Sequence, residues 1–161
     1  SNSGLLTITG GKWTTYREMA EEVVDRAIII GGLPNQPCVT ANMKLHGYTI
    51  QNTNDSWDYV YGSDYDGIST LEIDDNSNQE LLHPSYSFKV SHVLWAVREE
   101  MAYSVEDVLA RRVRALFLDA RAAIEMSPKV ASILARELGF DKKWELEQIE
   151  EFSRLAKCYL L

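Results

Sequence analysis

From Lys89 onward the apolar side chains recur at every third or fourth position, and that spacing constrains the chain to packed amphipathic helices. Val90, Val93, Leu94, Val97 and Met101 make one stripe, which predicts a helix over 89–102. Ser104 and Asp107 stand at capping-box spacing ahead of Val105, Val108 and Leu109. Asp119 is placed to cap a further helix carrying Ala122, Ala123 and Met126. Ser127-Pro128 reads as a fresh start, with an N-cap and then proline in the first turn, and Gly139 as its stop, giving a helix over 128–138. Asp141 then caps a last helix over 142–160, with Ile149, Phe152, Leu155, Ala156, Tyr159 and Leu160 on one face. Leu109, Phe117, Leu134 and Phe152 are the expected core anchors.

The first half is less regular. Residues 5–11 read as a short strand entering a glycine turn. Thr15 and Glu18 have capping-box spacing at the head of a helix over 16–30, and Gly31-Gly32 followed by Pro34 ends it. Beyond it, prolines, glycines and the polar stretch 51–56 break residues 33–88 into short pieces. A strand near 43–50 and a helix near 64–74 are expected there, with His83-Pro84 as an extended junction. The fold class is therefore mainly α: a helical bundle with an irregular N-terminal part. Ser1 and Asn2 have the look of an expression scar, and residues 1–3 are set aside.

At 161 residues the chain is about one domain long. Its longest apolar runs are four or five residues, far below the ~18 that a membrane span requires. Charge is segregated: residues 1–85 hold 12 acidic and 4 basic side chains, whereas 86–161 hold 12 of each. Within 45–85 there is no Lys or Arg at all, so a nucleic-acid backbone would be repelled and nucleic acid is not an expected partner. Two distant cysteines, Cys38 and Cys158, supply neither a disulfide scaffold nor a zinc site and fit a reducing compartment. His46, His83 and His92 have no metal-ligand spacing and read as structural. Arg111, Arg112, Arg114 and Arg121 could hold an anion, but nearby acidic residues favour internal ion pairs.

One segment carries a chemical signal. In Gly10-Gly11-Lys12-Trp13-Thr14-Thr15-Tyr16-Arg17, two glycines allow a ligand to approach the backbone, and the helix behind them offers free N–H groups and the positive end of its dipole. Lys12 adds a mobile cation, but position 6 is Leu and position 13 Trp, which excludes a P-loop. A plain strand–turn–helix junction explains the pattern equally well.

That segment, followed by Met19-Ala20-Glu21, resembles the junction closing the flavin domain of FAD-dependent glycerol-3-phosphate dehydrogenases. Further blocks similar to the same family's C-terminal domain follow in order: Leu45-His46-Gly47-Tyr48, Leu82-His83-Pro84, Trp95-Ala96-Val97-Arg98-Glu99-Glu100-Met101-Ala102 and Leu116-Phe117-Leu118-Asp119-Ala120-Arg121. Tyr103-Ser104 departs from the family's common Arg-Thr but keeps the capping role. The resemblance implies a fragment: residues 4–14 as the terminal strand and turn of a flavin domain that is otherwise elsewhere, and 15–161 as the helical C-terminal domain. It implies oxidation of glycerol 3-phosphate to dihydroxyacetone phosphate, with electrons passing through FAD to quinone at the inner face of a membrane. The implied location is cytoplasmic and peripheral. It places Gly10, Gly11, Thr14 and Thr15 by the flavin and Lys12 on the flavin or the substrate phosphate, with no catalytic residue and no metal ligand in this chain. The implied partners are the N-terminal flavin domain, glycerol 3-phosphate, quinone and a second copy, and the fragment alone is expected neither to hold FAD nor to turn over. The competing reading is a non-catalytic helical module for interaction or oligomerisation.

Overall fold

The computed structural model describes residues 3–50 and 57–160, so Ser1-Asn2, read from the sequence as a scar, and the polar stretch 51–56 lie outside the described residues. The chain divides into two units, residues 1–48 and 49–161. It is 66% helical, in line with the mainly α expectation.

In the first unit, a 3-10 turn, Trp13–Thr15, leads directly into α1, Tyr16–Gly31. Gly32 closes α1 in the left-handed region (φ 59°), its N–H returning to the Ile28 carbonyl, as the glycine pair predicted. None of this unit's described residues is buried. One sequence expectation fails here, at residues 43–50. Residues 5–11, whose strand character belongs to a sheet otherwise elsewhere, form no strand in this chain: no neighbouring strand among the described residues takes their amides and carbonyls. Residues 43–50 form none either: a 3-10 turn, Thr40–Asn42, precedes them, and a turn at His46-Gly47, closed by the Tyr48 N–H donating to the Leu45 carbonyl at 3.1 Å, interrupts the stretch.

The second unit holds the core. A 3-10 segment, Trp57–Asp64, leads into α2, Tyr65–Asp74, close to the predicted 64–74. Ile68 of α2 is fully buried, and Gly67 lies so close to Trp95 that a Cβ there would sit 2.3 Å from the indole ring. The His83-Pro84 junction proves to be the turn of a hairpin: β1, Leu81–His83, pairs antiparallel with β2, Tyr86–Lys89, in the register Leu81↔Lys89 and His83↔Tyr86. α3 spans Val90–Arg98 and stops short of the predicted 102. Met101 turns the chain through the left-handed region (φ 58°), the Ala102 N–H returns to the Ala96 carbonyl at 2.9 Å, and Met101 leaves the apolar stripe for solvent.

The capping box at Ser104 forms as predicted: Asp107 Oδ2 accepts from the Tyr103 and Ser104 N–H groups at 3.0 Å, and the Asp107 N–H donates to Ser104 Oγ at 3.1 Å. The helix it opens has π-type winding over Asp107–Arg112, and left-handed Arg114 (φ 59°) separates it from the single turn α4, Ala115–Leu118. Asp119 caps α5 through its Oδ1, which accepts from the Arg121 and Ala122 N–H groups.

α5 runs unbroken from Ala120 to Leu138, so Ser127-Pro128 is no helix start. Proline at 128 deprives the Ile124 carbonyl of its usual N–H partner. The Ser127 hydroxyl replaces it, donating to that carbonyl at 2.8 Å. Gly139 (φ 74°) ends α5 as predicted, and Asp141 caps α6, Lys142–Lys157, which stops three residues before the predicted end. Leu109, Leu134 and Phe152 are core, but Phe117 is not: α4 is one turn long and turns it outward, 54% exposed, against the edge of Tyr159.

Candidate functional site

The glycine turn lies wholly within the first unit. Gly10 (φ 83°) and Gly11 (φ 99°) both occupy the left-handed region, which any side chain would strain. A Cβ at Gly11 would also meet Met19 Sδ at 2.1 Å, whereas one at Gly10 would project into open space. Thr15 fastens the turn: its N–H donates to the Lys12 carbonyl at 3.0 Å, and its hydroxyl donates to the same carbonyl at 3.1 Å while accepting from the Lys12 N–H at 3.4 Å. The expected Thr15–Glu18 capping box is therefore absent, because the hydroxyl points back to Lys12 instead of forward into α1. Thr14 is exposed, and Lys12 makes no ion pair among the described residues.

Gly10, Gly11 and Lys12 line a shallow cavity of about 450 Å³ together with Ile8, Trp13 and Met19; Thr14 and Thr15 do not line it. Sequence reasoning passed over Trp13, which is 87% exposed and stacks on Tyr16 at 5.6 Å. The available signal was its position beside the glycine pair: a large apolar ring at a polar turn has no core to serve there.

Several other titratable groups are engaged structurally. His92 is fully buried; its Nδ1 accepts from the Lys89 N–H at 2.9 Å, which leaves Nε2 to donate to Asp58 at 2.9 Å. Tyr61 stacks on that imidazole, and its burial pushes the phenol well above its ordinary range. Burial likewise raises the Glu100 carboxyl, with Arg112 opposing the shift. His83 accepts from the Ser85 N–H and pairs with Glu125. Of the basic cluster, Arg111 pairs with Glu106 and Asp107, and Arg112 with Glu100 and Asp107. No group of three or more metal-ligating side chains occurs among the described residues. No helix there is long and apolar enough to cross a membrane.

Comparison with known proteins gives this arrangement its setting. The family model described as the C-terminal domain of alpha-glycerophosphate oxidase matches residues 6–145. The chain is 35% identical over 190 residues to "Glycerol-3-phosphate dehydrogenase SDP6, mitochondrial" of Arabidopsis thaliana, covering 97% of this chain and 30% of that protein. It is 28% identical to the mitochondrial glycerol-3-phosphate dehydrogenase of Saccharomyces cerevisiae, again over 30% of the relative's length. With the Mesocricetus auratus enzyme of the same name it shares 29% identity, over 24% of that protein. The chain thus spans less than a third of these relatives' length. No solved structure matches it. With a family match running from the strand-like start through the glycine turn into α6, the chain belongs to the family of C-terminal domains of alpha-glycerophosphate oxidase.

Proposed function

We propose that the chain is the C-terminal part of an FAD-dependent glycerol-3-phosphate dehydrogenase and that its glycine turn completes one edge of the flavin site. The observation that carries this reading is the turn itself. At Gly10 the space that a side chain would fill is open, so a flat ring can approach the backbone. The adjoining cavity supplies apolar walls from Ile8, Trp13 and Met19, which suit an aromatic ring presented edge-on. In this reading residues 4–14 end the flavin domain and 15–161 form the helical domain.

FAD, when bound, would accept a hydride from glycerol 3-phosphate and pass the electrons on to quinone. This chain's residues bind and orient. The N-terminal end of α1, sixteen residues long, favours negative charge near the turn, as an electron-rich ring edge requires. Lys12 supplies a cation to that edge or to the substrate phosphate, and Thr14 presents its hydroxyl at the turn. Thr15 acts through the shape of the turn, since its N–H and hydroxyl are both engaged with Lys12. The other partners are the N-terminal flavin domain, glycerol 3-phosphate, and quinone at a membrane surface to which the assembled protein attaches peripherally. Its compartment is the cytoplasm in this reading. The relatives above are named as mitochondrial, and fractionation of cells expressing the parent protein distinguishes the two.

The test is reconstitution. Co-expression of this chain with the parent's N-terminal portion should yield a yellow complex that reduces an artificial acceptor when given glycerol 3-phosphate. Equal flavin content and activity in the N-terminal portion alone would overturn the reading.

A further inference from the structure

Thr15 fastens the glycine turn only from Lys12 onward, and Gly10 and Gly11 take part in no hydrogen bond among the described residues. What backs Gly11 is a side chain from α1. Met19 Sδ and Cε lie 2.1 Å and 2.6 Å from the place that a Cβ of Gly11 would occupy, so the thioether rests directly on the backbone of the turn. We propose that Met19 is a modification site, at which hydrogen peroxide converts the thioether to the sulfoxide and so removes the support of the turn.

Reach and consequence set Met19 apart from the other three methionines. Met43 and Met101 are both more than half exposed, so an oxygen added there meets water and disturbs no packing. Met126 is fully buried in the helical core and stays out of reach while that core is closed. Met19 is partly exposed and walls the shallow cavity of about 450 Å³, through which a molecule as small as peroxide reaches the sulfur.

The step balances with no further reactant. A sulfur lone pair attacks one peroxide oxygen and forms the S–O bond while the O–O bond breaks. The departing hydroxide takes the proton from the new S–OH group and leaves as water. Sulfur is oxidised by two electrons, peroxide is reduced by two, and both S–C bonds survive. The product is polar where the thioether was apolar. Its oxygen needs a hydrogen-bond donor or water, and Ile8, Ala20 and Val23, which share the cavity wall, offer no donor. The oxidised side chain therefore turns to water and leaves Gly11 unsupported. An effect on turnover rests on the flavin reading above, whereas the loosening of the turn does not.

The test uses the 161-residue chain with isotope-labelled methionine methyl groups, in a background carrying Met43→Leu and Met101→Leu. Before treatment the Met19 methyl should show a nuclear Overhauser contact to the Gly11 α-protons. In dilute hydrogen peroxide Met19 should gain one oxygen by peptide mass mapping, and Met126 none. The contact should then vanish, and tryptic cleavage after Lys12 should quicken about fivefold as the opened population grows. Methionine sulfoxide reductases of both epimer specificities should restore the contact and the cleavage rate. Adding Met19→Leu should abolish the acceleration. A folded chain whose Met19 resists peroxide, or a contact and cleavage rate that survive the added oxygen, would overturn the proposal. So would an acceleration that the reductases fail to reverse or that Met19→Leu retains, which would assign it to Cys38. A chain that loosens as expected, within an assembled enzyme whose flavin content and turnover ignore the change, would support this inference and count against the flavin reading.

Discussion

Phe117 and Phe152 share a side chain and differ in fate. Phe152 is 2% exposed within the helical core, and its replacement by Ala should cost about 3–5 kcal/mol in denaturant unfolding. The same change at Phe117 should cost under about 1 kcal/mol, because water already covers half of that ring. Equal losses at both positions would mean that Phe117 is packed. Lys12 is the residue on which the proposed site most depends. In the assembled enzyme Lys12→Ala should leave the melting temperature unchanged, since an exposed lysine packs against little, while turnover or substrate affinity falls at least tenfold. Unaltered kinetics would remove Lys12 from the site.

At the scale of elements, the caps were the most legible part of the sequence. Asp107, Asp119 and Asp141 each accept the backbone N–H groups that their positions predicted, and Gly32 and Gly139 each close a helix in the left-handed region. Cap chemistry is local, so a short window of sequence suffices to read it. The errors fell where a non-local or a second local contact decided. Pro128 carries every sign of a helix start, yet Ser127 supplies the bond that its ring removes. Residues 5–11 are a different case: they have strand composition, but a strand also needs a neighbour. The left-handed backbone of the turn was legible in its two glycines, whereas the inward role of Thr15 depends on a hydroxyl direction that spacing does not fix.

One cap carries a pH prediction. The Ala122 N–H, above all, holds the Asp119 carboxyl below the usual aspartate range, against a desolvation that raises it, and the Tyr86 hydroxyl and Arg121 N–H reinforce the lowering. A depressed folded pKa contributes stability that is complete above the ordinary value near ~3.9 and disappears as pH falls through the folded one. Acidification below pH ~4 should therefore destabilise the wild type by a larger margin than Asp119→Asn, measured as the shift in denaturation midpoint. Identical acid sensitivity would exclude Asp119 as a contributor.

For the whole molecule, the two units differ in what supports them. Unit 2 encloses its own core, whereas no described residue of unit 1 is buried. The proposed flavin edge sits in the unit without a core, and one helix terminus contributes on the order of 1 kcal/mol toward an anionic group. Micromolar binding requires about 8 kcal/mol. The purified chain should accordingly be colourless and leave titrated FAD with its free fluorescence; a yellow preparation with stoichiometric flavin would refute the proposed division of the site. The thin cover of α1 also sets a timescale. None of its residues is buried, so its amides are guarded chiefly by the helix's own hydrogen bonds, which a sixteen-residue helix opens readily in water. Those of α5 lie under Leu134, Val130 and Met126 and exchange only when the core comes apart. Placed in heavy water, one polypeptide would keep two clocks, with α1 taking up deuterium almost at once and α5 waiting for global unfolding.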